Sequence, residues 1–173
     1  MIEKRTILVR YDEIGLKGGN RKYFTNILLK NIKRSLPGDR GIEYRVPRGR
    51  ILIDLPKSVA DEIADQLKMI PGIASYSVGV SVKPDFDEIA AFGIKWIEPL
   101  LEAKGKLKFC VKTRRSAKTF PKTSQEVSFE VGSRIMSQLQ EKGLVVDIKG
   151  SEFTLEIEIG TTCLLYTSDA ADE

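Results

Sequence analysis

The first 82 residues alternate between two kinds of apolar pattern, and the order of these patterns restricts the fold more than any other feature of the sequence. Short β-rich runs predict four strands, at residues 6–11, 42–47, 50–55 and 73–82. Apolar residues at helical spacing follow Asn20 and Ser58 and predict a helix in each place. The resulting order is strand, helix, strand, strand, helix, strand, which is that of a ferredoxin-like domain.

Local signals predict where these elements begin and end. We expect Asn20 to cap the first helix and Pro37-Gly38 to end it. Ser58 is expected to cap the second helix, and Arg48-Gly49 predicts a hairpin turn between the second and third strands. The first helix should bury the apolar side chains that share one face, namely Phe24, Ile27, Leu28, Ile32 and Leu36.

The remainder of the chain predicts a second unit that mixes helices and strands. An amphipathic helix from Phe86 is expected to kink or end at Pro99. A strand that ends near Thr113 follows, and then a helix with a capping box at 123–126. Two further strands are expected at residues 144–149 and 153–159. The predicted fold class is therefore α+β, with a ferredoxin-like domain at residues 1–80 and an α/β domain at residues 81–162.

Basic side chains are concentrated in two blocks. Residues 106–122 contain seven cations and no carboxylate, and residues 1–55 contain 13 basic and 6 acidic side chains. A surface that needs only solubility mixes both signs of charge. The stretch 106–122 also ends in the aromatic residue Phe120, which suits a partner with a phosphate backbone. An ordinary solvated basic loop is the alternative, and this stretch alone does not decide between them.

The residue types that are present exclude several kinds of chemistry. The chain contains no histidine, which excludes Ser-His and Cys-His nucleophiles and His-ligated metal sites. Cys110 and Cys163 do not have the spacing of a metal site, and Cys110 is interpreted as a small strand residue. The glycines at 15, 18 and 19 do not have the spacing of a P-loop, and Asp12 and Glu13 are better explained as loop structure than as an acid and a base. We therefore predict no catalytic residues and no metal site.

The last eleven residues differ in character from the rest. A DNA sequence that encodes Cys163–Glu173 resembles the transposon adapter of common sequencing libraries. We hypothesise that these residues are read-through from such an adapter and that the natural gene continues after Thr162. No apolar run approaches the roughly 18 residues of a membrane span, and Met1–Arg5 does not resemble the start of a signal peptide, so a cytoplasmic location is expected.

Two motifs of the sequence resemble those of one known family. Residues 7–24, from Ile-Leu-Val-Arg-Tyr to Asn-Arg-Lys-Tyr-Phe, are similar to the opening of the tRNA 4-thiouridine synthases or tRNA sulfurtransferases (ThiI). Residues 109–121, Phe-Cys-Val-Lys-Thr-Arg-Arg-Ser-Ala-Lys-Thr-Phe-Pro, resemble the signature of their THUMP RNA-binding domain. Asp12 stands where the family has Gly, and Cys110 stands where it has Lys.

The resemblance implies a function that this chain performs only in part. It implies a ferredoxin-like domain and a THUMP domain that together bind tRNA at the acceptor stem and 3′ end. A downstream domain would use ATP with Mg²⁺ to adenylate uridine 8, and a cysteine desulfurase would supply sulfur as persulfide. Some members also supply sulfur for thiamine synthesis. The chain lacks that domain's phosphate loop and catalytic cysteine, so no cofactor and no enzymatic step are expected here. Whether the parent protein is a homodimer stays open.

The residues expected to contact RNA come from both basic blocks. Arg114, Arg115 and Lys118 are predicted to be the main phosphate contacts, with Phe120 or Tyr11 stacking on an unpaired base. The full predicted set is Arg10, Lys17, Asn20, Arg21, Arg48, Arg50, Lys112, Arg114, Arg115, Lys118, Phe120 and Lys122.

Two other functions are compatible with parts of the sequence. THUMP domains also precede RNA methyltransferases, which would keep RNA binding but change the enzyme. A small hydrolase of the acylphosphatase type, acting through an arginine and Asn20, would have no affinity for tRNA.

Overall fold

The computed structural model describes residues 3–11, 18–36, 38, 40–47 and 49–169. The chain divides into two compact units, Met1–Gly79 and Val80–Glu173. None of the described helices is long and apolar enough to cross a membrane.

The first unit has the predicted ferredoxin-like order. Its elements are β1 (Lys4–Tyr11), α1 (Arg21–Ser35), β2 (Glu43–Arg45), β3 (Ile51–Pro56), α2 (Lys57–Leu67) and β4 (Ile73–Val82). The strands are antiparallel in the order β2-β3-β1-β4, with Ile7 of β1 opposite Ile53 on one side and Val78 on the other. Apolar side chains of β1, β3, α1 and α2 form one buried core. β4 ends in the second unit, because the boundary falls after Gly79.

Three details of the helices in the first unit differ from the sequence-based expectation. Asn20 occupies the N-cap position of α1, but its side chain makes no capping hydrogen bond. α2 begins at Lys57 with Pro56 at the N-cap, so Ser58 lies inside the helix and does not cap it. α1 buries Thr25 with Leu28 and Ile32, whereas Phe24 and Ile27, predicted to be core residues, remain exposed.

A hydrogen bond within the helix allows Thr25 to be buried. The Thr25 hydroxyl donates a hydrogen bond to the carbonyl of Arg21, 2.8 Å away. This local bond satisfies a polar group that would otherwise be costly to bury. A hydropathy pattern does not count Thr25 as a core residue, so the predicted face was turned toward Phe24 and Ile27.

The second unit contains two helices and a four-stranded sheet. Its elements are α3 (Phe86–Lys104), β5 (Leu107–Arg115), α4 (Ser124–Leu139), β6 (Leu144–Val146), β7 (Phe153–Ile159) and β8 (Cys163–Asp169). The strand order is β8-β7-β5-β6, in which β5 pairs in parallel with β6 and β7. β8 is antiparallel to β7. β5 therefore lies between the two last strands that the sequence predicted.

Helix and strand ends in this unit confirm some predictions and correct others. The capping box at α4 is present, with the Thr123 hydroxyl and the Glu126 carboxylate each accepting a backbone N–H of the other residue. Pro99 does not end α3, which continues to Lys104. β5 continues two residues beyond Thr113, because its pairing with β7 extends to Arg115 opposite Ile159. Arg114 and Arg115 therefore lie on a strand, where the sequence predicted a turn.

The strand β8 contains most of the residues suspected to be of adapter origin. Cys163 and Leu165 are buried in the core of the second unit. Burial, with the nearby charge of Glu88, raises the pKa of the Cys163 thiol to about 12. A strand can form whatever the origin of its codons, so the adapter hypothesis and the domain limits inferred with it remain predictions.

Candidate nucleic-acid interface

β5 presents exposed basic side chains on one face, whereas its other face is mainly apolar and ends in Arg115. Lys108, Lys112 and Arg114 are exposed, whereas Leu107 and Phe109 are buried. Cys110 shares the basic face but is buried, with its sulfur 3.3 Å from the Ser151 hydroxyl and 3.5 Å from that of Thr154. This environment agrees with the interpretation of Cys110 as a small strand residue.

The neighbouring strand places carboxylates beside this basic face. In the pairing of β5 with β7, Glu156 is the partner of Lys112 and Glu158 is the partner of Arg114. Hydroxyl groups of β8 donate to both carboxylates, from Ser168 to Glu156 and from Tyr166 to Glu158, each at 3.1 Å. The basic stretch contains no carboxylate in sequence, but the sheet makes its strand portion a face of mixed charge. Sequence reasoning missed this because the pairing of β5 with β7 is non-local.

Arg115 holds the loop that follows β5, residues 116–122. Its Nη1 donates to the carbonyl oxygens of Phe120 at 3.1 Å and Lys122 at 2.9 Å. At the start of the loop, the backbone N–H and the hydroxyl of Ser116 both donate to the carbonyl of Ile159, at 2.9 and 3.2 Å. Part of the hydrogen-bonding capacity of the Arg115 guanidinium is therefore used to stabilise the loop conformation.

Phe120 and Lys122 anchor the other end of this loop on Phe86 of α3. The rings of Phe120 and Phe86 meet edge to face with centroids 6.3 Å apart, a favoured aromatic geometry. The Lys122 ammonium lies 5.4 Å from the centroid of Phe86 and 3.6 Å from a carboxylate oxygen of Glu130. Phe120 is thus half-buried against the core, and the charge of Lys122 is opposed by a carboxylate.

Glu130 is shared by two cations. Arg134 donates to it at 3.0 Å and also forms an ion pair with Asp87. The Arg134 hydrogen bond, followed by the charge of Lys122, lowers the pKa of the Glu130 carboxyl below its usual range. The guanidinium of Arg134 lies over the same ring of Phe86 at 5.7 Å. This cluster connects the loop to both helices of the second unit.

Arg114 and Lys118 have the most available charges among the predicted contacts of the second unit. Both side chains are exposed, and neither forms an ion pair or a hydrogen bond within the described ranges. Lys112 is also exposed but has an interaction partner. The predicted set therefore separates into residues that hold the loop and residues that remain available to a ligand.

A groove of about 1010 Å³ lies between α4 and β5, and sequence reasoning did not predict it. Lys112 and Arg114 line it from β5, Ser128 and Phe129 line it from α4, and Ile148 lies beyond the end of β6. Phe129 and Ile148 are each 76% exposed, which is unusual for large apolar side chains. The available signal was that Phe129 lies outside the apolar stripe of α4, which is buried as predicted at Val127, Val131, Ile135 and Leu139.

The predicted residues of the first unit are less available. Arg10 is half-buried and donates to the Ser77 hydroxyl at 2.9 Å. Arg21 and Arg50 are half-buried and take part in interactions, and Asn20 is exposed. Tyr11 packs against the core of the unit. Lys17 and Arg48 lie outside the described residues, as do Asp12, Glu13 and Gly15.

Comparison with known proteins defines the class first by its domains. The family described as "ThiI ferredoxin-like domain" matches residues 6–77, and the THUMP domain family matches residues 83–168. The chain is thus a ferredoxin-like domain of the ThiI type followed by a THUMP domain.

Similar proteins then define the family. The "Probable tRNA sulfurtransferase" of Halothermothrix orenii is 37% identical over 158 residues, which are 90% of this chain and 39% of that protein. That of Thermotoga maritima is 33% identical over 99% of this chain and 42% of its own length. A crystal structure of a 4-thiouridine synthetase–RNA complex with bound ATP matches with a TM-score of 0.74 and 32% identity, over 96% of this chain and 41% of that one. The chain belongs to the tRNA sulfurtransferase family and spans about 40% of the length of these relatives, as their N-terminal ThiI and THUMP region.

Proposed function

We propose that this chain binds tRNA at the acceptor stem and 3′ end and positions it for a sulfurtransferase domain of the parent protein. The observation that carries the proposal is the groove beside Arg114 and Phe129, in which two cations, Lys112 and Arg114, lie with hydrogen-bonding groups and an exposed aromatic ring. Glu156 also lines the groove, so its charge is mixed with an excess of positive charge. The groove lies in the domain that matches the THUMP family, and one similar protein has been solved as a complex with RNA.

The groove has the chemistry that an unpaired nucleotide requires. Arg114 is available for phosphate oxygens, Phe129 offers a ring for stacking, and Ser124, Gln125 and Ser128 offer donors and acceptors for base edges. Its volume of about 1010 Å³ is at the upper end of the range for ligand sites. Bases inside a duplex do not expose their faces for stacking, so the groove suits an unpaired segment of tRNA, and we assign it to the single-stranded 3′ end, which the family resemblance implies.

The parent protein would complete the reaction with parts outside this chain. We propose that its downstream domain uses ATP with Mg²⁺ to activate uridine 8 and that a cysteine desulfurase supplies the sulfur. No step of that chemistry is assigned to residues of this chain, whose contribution is to bind and orient the RNA.

Two substitutions in the groove test the proposal. Phe129→Ala should weaken the binding of a tRNA transcript by about 1–3 kcal/mol without changing its salt dependence, because a stacking ring is lost and no charge is removed. Arg114→Gln should weaken binding and also reduce the slope of log K against log salt by about 0.7 to 0.9. Met69→Ala and Arg40→Gln are matched controls, since both residues are exposed and belong to the first unit. Groove variants that bind as tightly as the controls, with an unchanged slope, would refute the assignment of the groove.

A further inference from the structure

The exposed side of α1 carries apolar and basic residues in one stripe. Tyr23, Ile27, Lys30 and Arg34 follow one another at intervals of four, three and four residues, so they lie along one face of the helix. Tyr23 is 63% exposed and Ile27 38%, although the unit has a well-formed core for apolar side chains. The ring of Phe24, itself 39% exposed, lies edge to face with Tyr23 at a centroid distance of 5.7 Å.

The charge of α1 is uniformly positive. The helix contains five cations, Arg21, Lys22, Lys30, Lys33 and Arg34, and no carboxylate. Within the described part of the chain, Lys30 and Arg34 form no ion pair, and the Lys33 ammonium lies over the ring of Tyr44. The basic face of β5, by contrast, has Glu156 and Glu158 beside it. The positive charge of α1 is therefore less neutralised than that of the basic stretch that first suggested RNA binding.

We propose that this stripe is a second RNA-binding surface, separate from the groove. Tyr23 would stack on an unpaired or terminal base, while Lys30 and Arg34 would contact phosphates further along the strand. Tyr23 and Arg34 are 11 positions apart, which corresponds to about 16 Å along the helix. At the roughly 3.4 Å rise of a stacked strand, this length corresponds to about five nucleotides.

RNA fits this surface better than an acidic protein does. A protein partner would bury Ile27 and Phe24 at the centre of a patch, yet each is already more than half covered and only Tyr23 projects strongly. A projecting ring at one end of a row of cations is the arrangement that serves base stacking together with phosphate contact. The proposal rests on the proposed function, since it assumes that the chain binds RNA.

The test uses the full chain and an unmodified tRNA transcript, with binding measured over a salt series. Lys30→Gln/Arg34→Gln should reduce the slope of log K against log salt by about 1.4, or about 0.7 for each lost contact to a single strand. Tyr23→Leu should weaken binding by about 5- to 150-fold with an unchanged slope, and Tyr23→Phe should bind almost as tightly as the unchanged chain. Lys83→Gln/Lys95→Gln removes the same charge from exposed positions outside α1 and serves as the control.

The outcomes separate this proposal from the proposed function. If the unchanged chain binds and the α1 variants show the same affinity and slope as the control, the α1 surface is refuted while the groove stands. That result would leave an acidic protein as the partner of the stripe. If the unchanged chain binds no tRNA, both proposals fail together. Circular dichroism and the melting temperature check that each variant is folded. We expect all of them to fold, because Tyr23, Lys30 and Arg34 are on the exposed side of α1.

Discussion

The loop at residues 116–122 gives the sharpest prediction, because it separates residues that hold the loop from residues that we propose to contact RNA. Phe120→Ala removes no charge but removes the ring that packs on Phe86. An edge-to-face aromatic pair contributes about 0.5–1.5 kcal/mol to stability beyond the burial of its surface. Replacing a fully buried phenylalanine by alanine costs roughly 3–5 kcal/mol of stability, and we take about half of that for a half-buried one. We expect the free energy of unfolding to fall by about 2 kcal/mol, and the melting temperature by about 4–8 °C.

The same substitution should weaken RNA binding indirectly. If Lys118 and its two neighbours become free, fixing them again on binding costs about 3 kcal/mol at roughly 1 kcal/mol for each residue. That cost corresponds to at most about a 150-fold loss of affinity. The slope of log K against log salt should not change, because the number of phosphate contacts in the bound state is the same. Fluorescence anisotropy with a labelled tRNA transcript measures the affinity and, over a salt series, the slope of log K against log salt.

Phe120→Leu distinguishes an anchor from a stacking residue. Leucine keeps an apolar contact with Phe86 but offers no ring to a base, so we expect it to retain most of the affinity that alanine loses. An anchoring role for Phe120 would be refuted if leucine were as harmful as alanine while a variant with tyrosine bound normally, since that pattern identifies a base-stacking ring.

Three further predictions follow from individual contacts. Thr123→Ala should destabilise the second unit by about 1 kcal/mol, measured by chemical denaturation, because it removes the hydroxyl of the capping box. Pairing with Arg134 lowers the pKa of Glu130 in the folded state. The stabilisation from this pair is therefore fully present above the pKa of the unfolded state, and it is lost as the pH falls through the pKa of the folded state. Glu130→Gln should therefore remove part of the acid sensitivity of folding below about pH 4.5, measured by melting temperature against pH. Cys110 and Cys163 should react with a thiol reagent at neutral pH only after unfolding, because both are buried and burial raises the pKa of Cys163 to about 12.

Local patterns predicted the fold well where short-range physics decides it. The order of elements in the first unit and the capping box at Thr123 depend on spacing and on residues within one turn, and both are confirmed. The exposed position of Phe24 was not predictable from the apolar pattern, because the buried face of α1 includes a polar residue, Thr25, whose hydroxyl is hydrogen-bonded within the helix. The continuation of α3 through Pro99 likewise follows from packing, which overrides the local preference of one residue.

The location of the RNA interface remains a prediction from the sequence, and the division of tasks among its residues was not predictable. The sequence correctly identified residues 106–122 as unusually basic, and the family comparison places them within a THUMP domain. It could not show that Arg115 and Lys122 are occupied by backbone carbonyls and by Glu130, because these contacts form only when the loop folds back. It also missed Phe129, whose significance depends on the groove beside it.

The most direct test of tRNA binding compares an intact tRNA with one trimmed of its unpaired 3′ nucleotides. The intact tRNA should bind the chain with an affinity that falls steeply with salt. Each phosphate contact should add roughly 0.7 to 0.9 to the slope of log K against log salt. The trimmed tRNA should bind about 5- to 150-fold more weakly, because it loses at least one stacked base in the groove. Equal affinity for the two RNAs, or binding that does not depend on salt, would contradict the account.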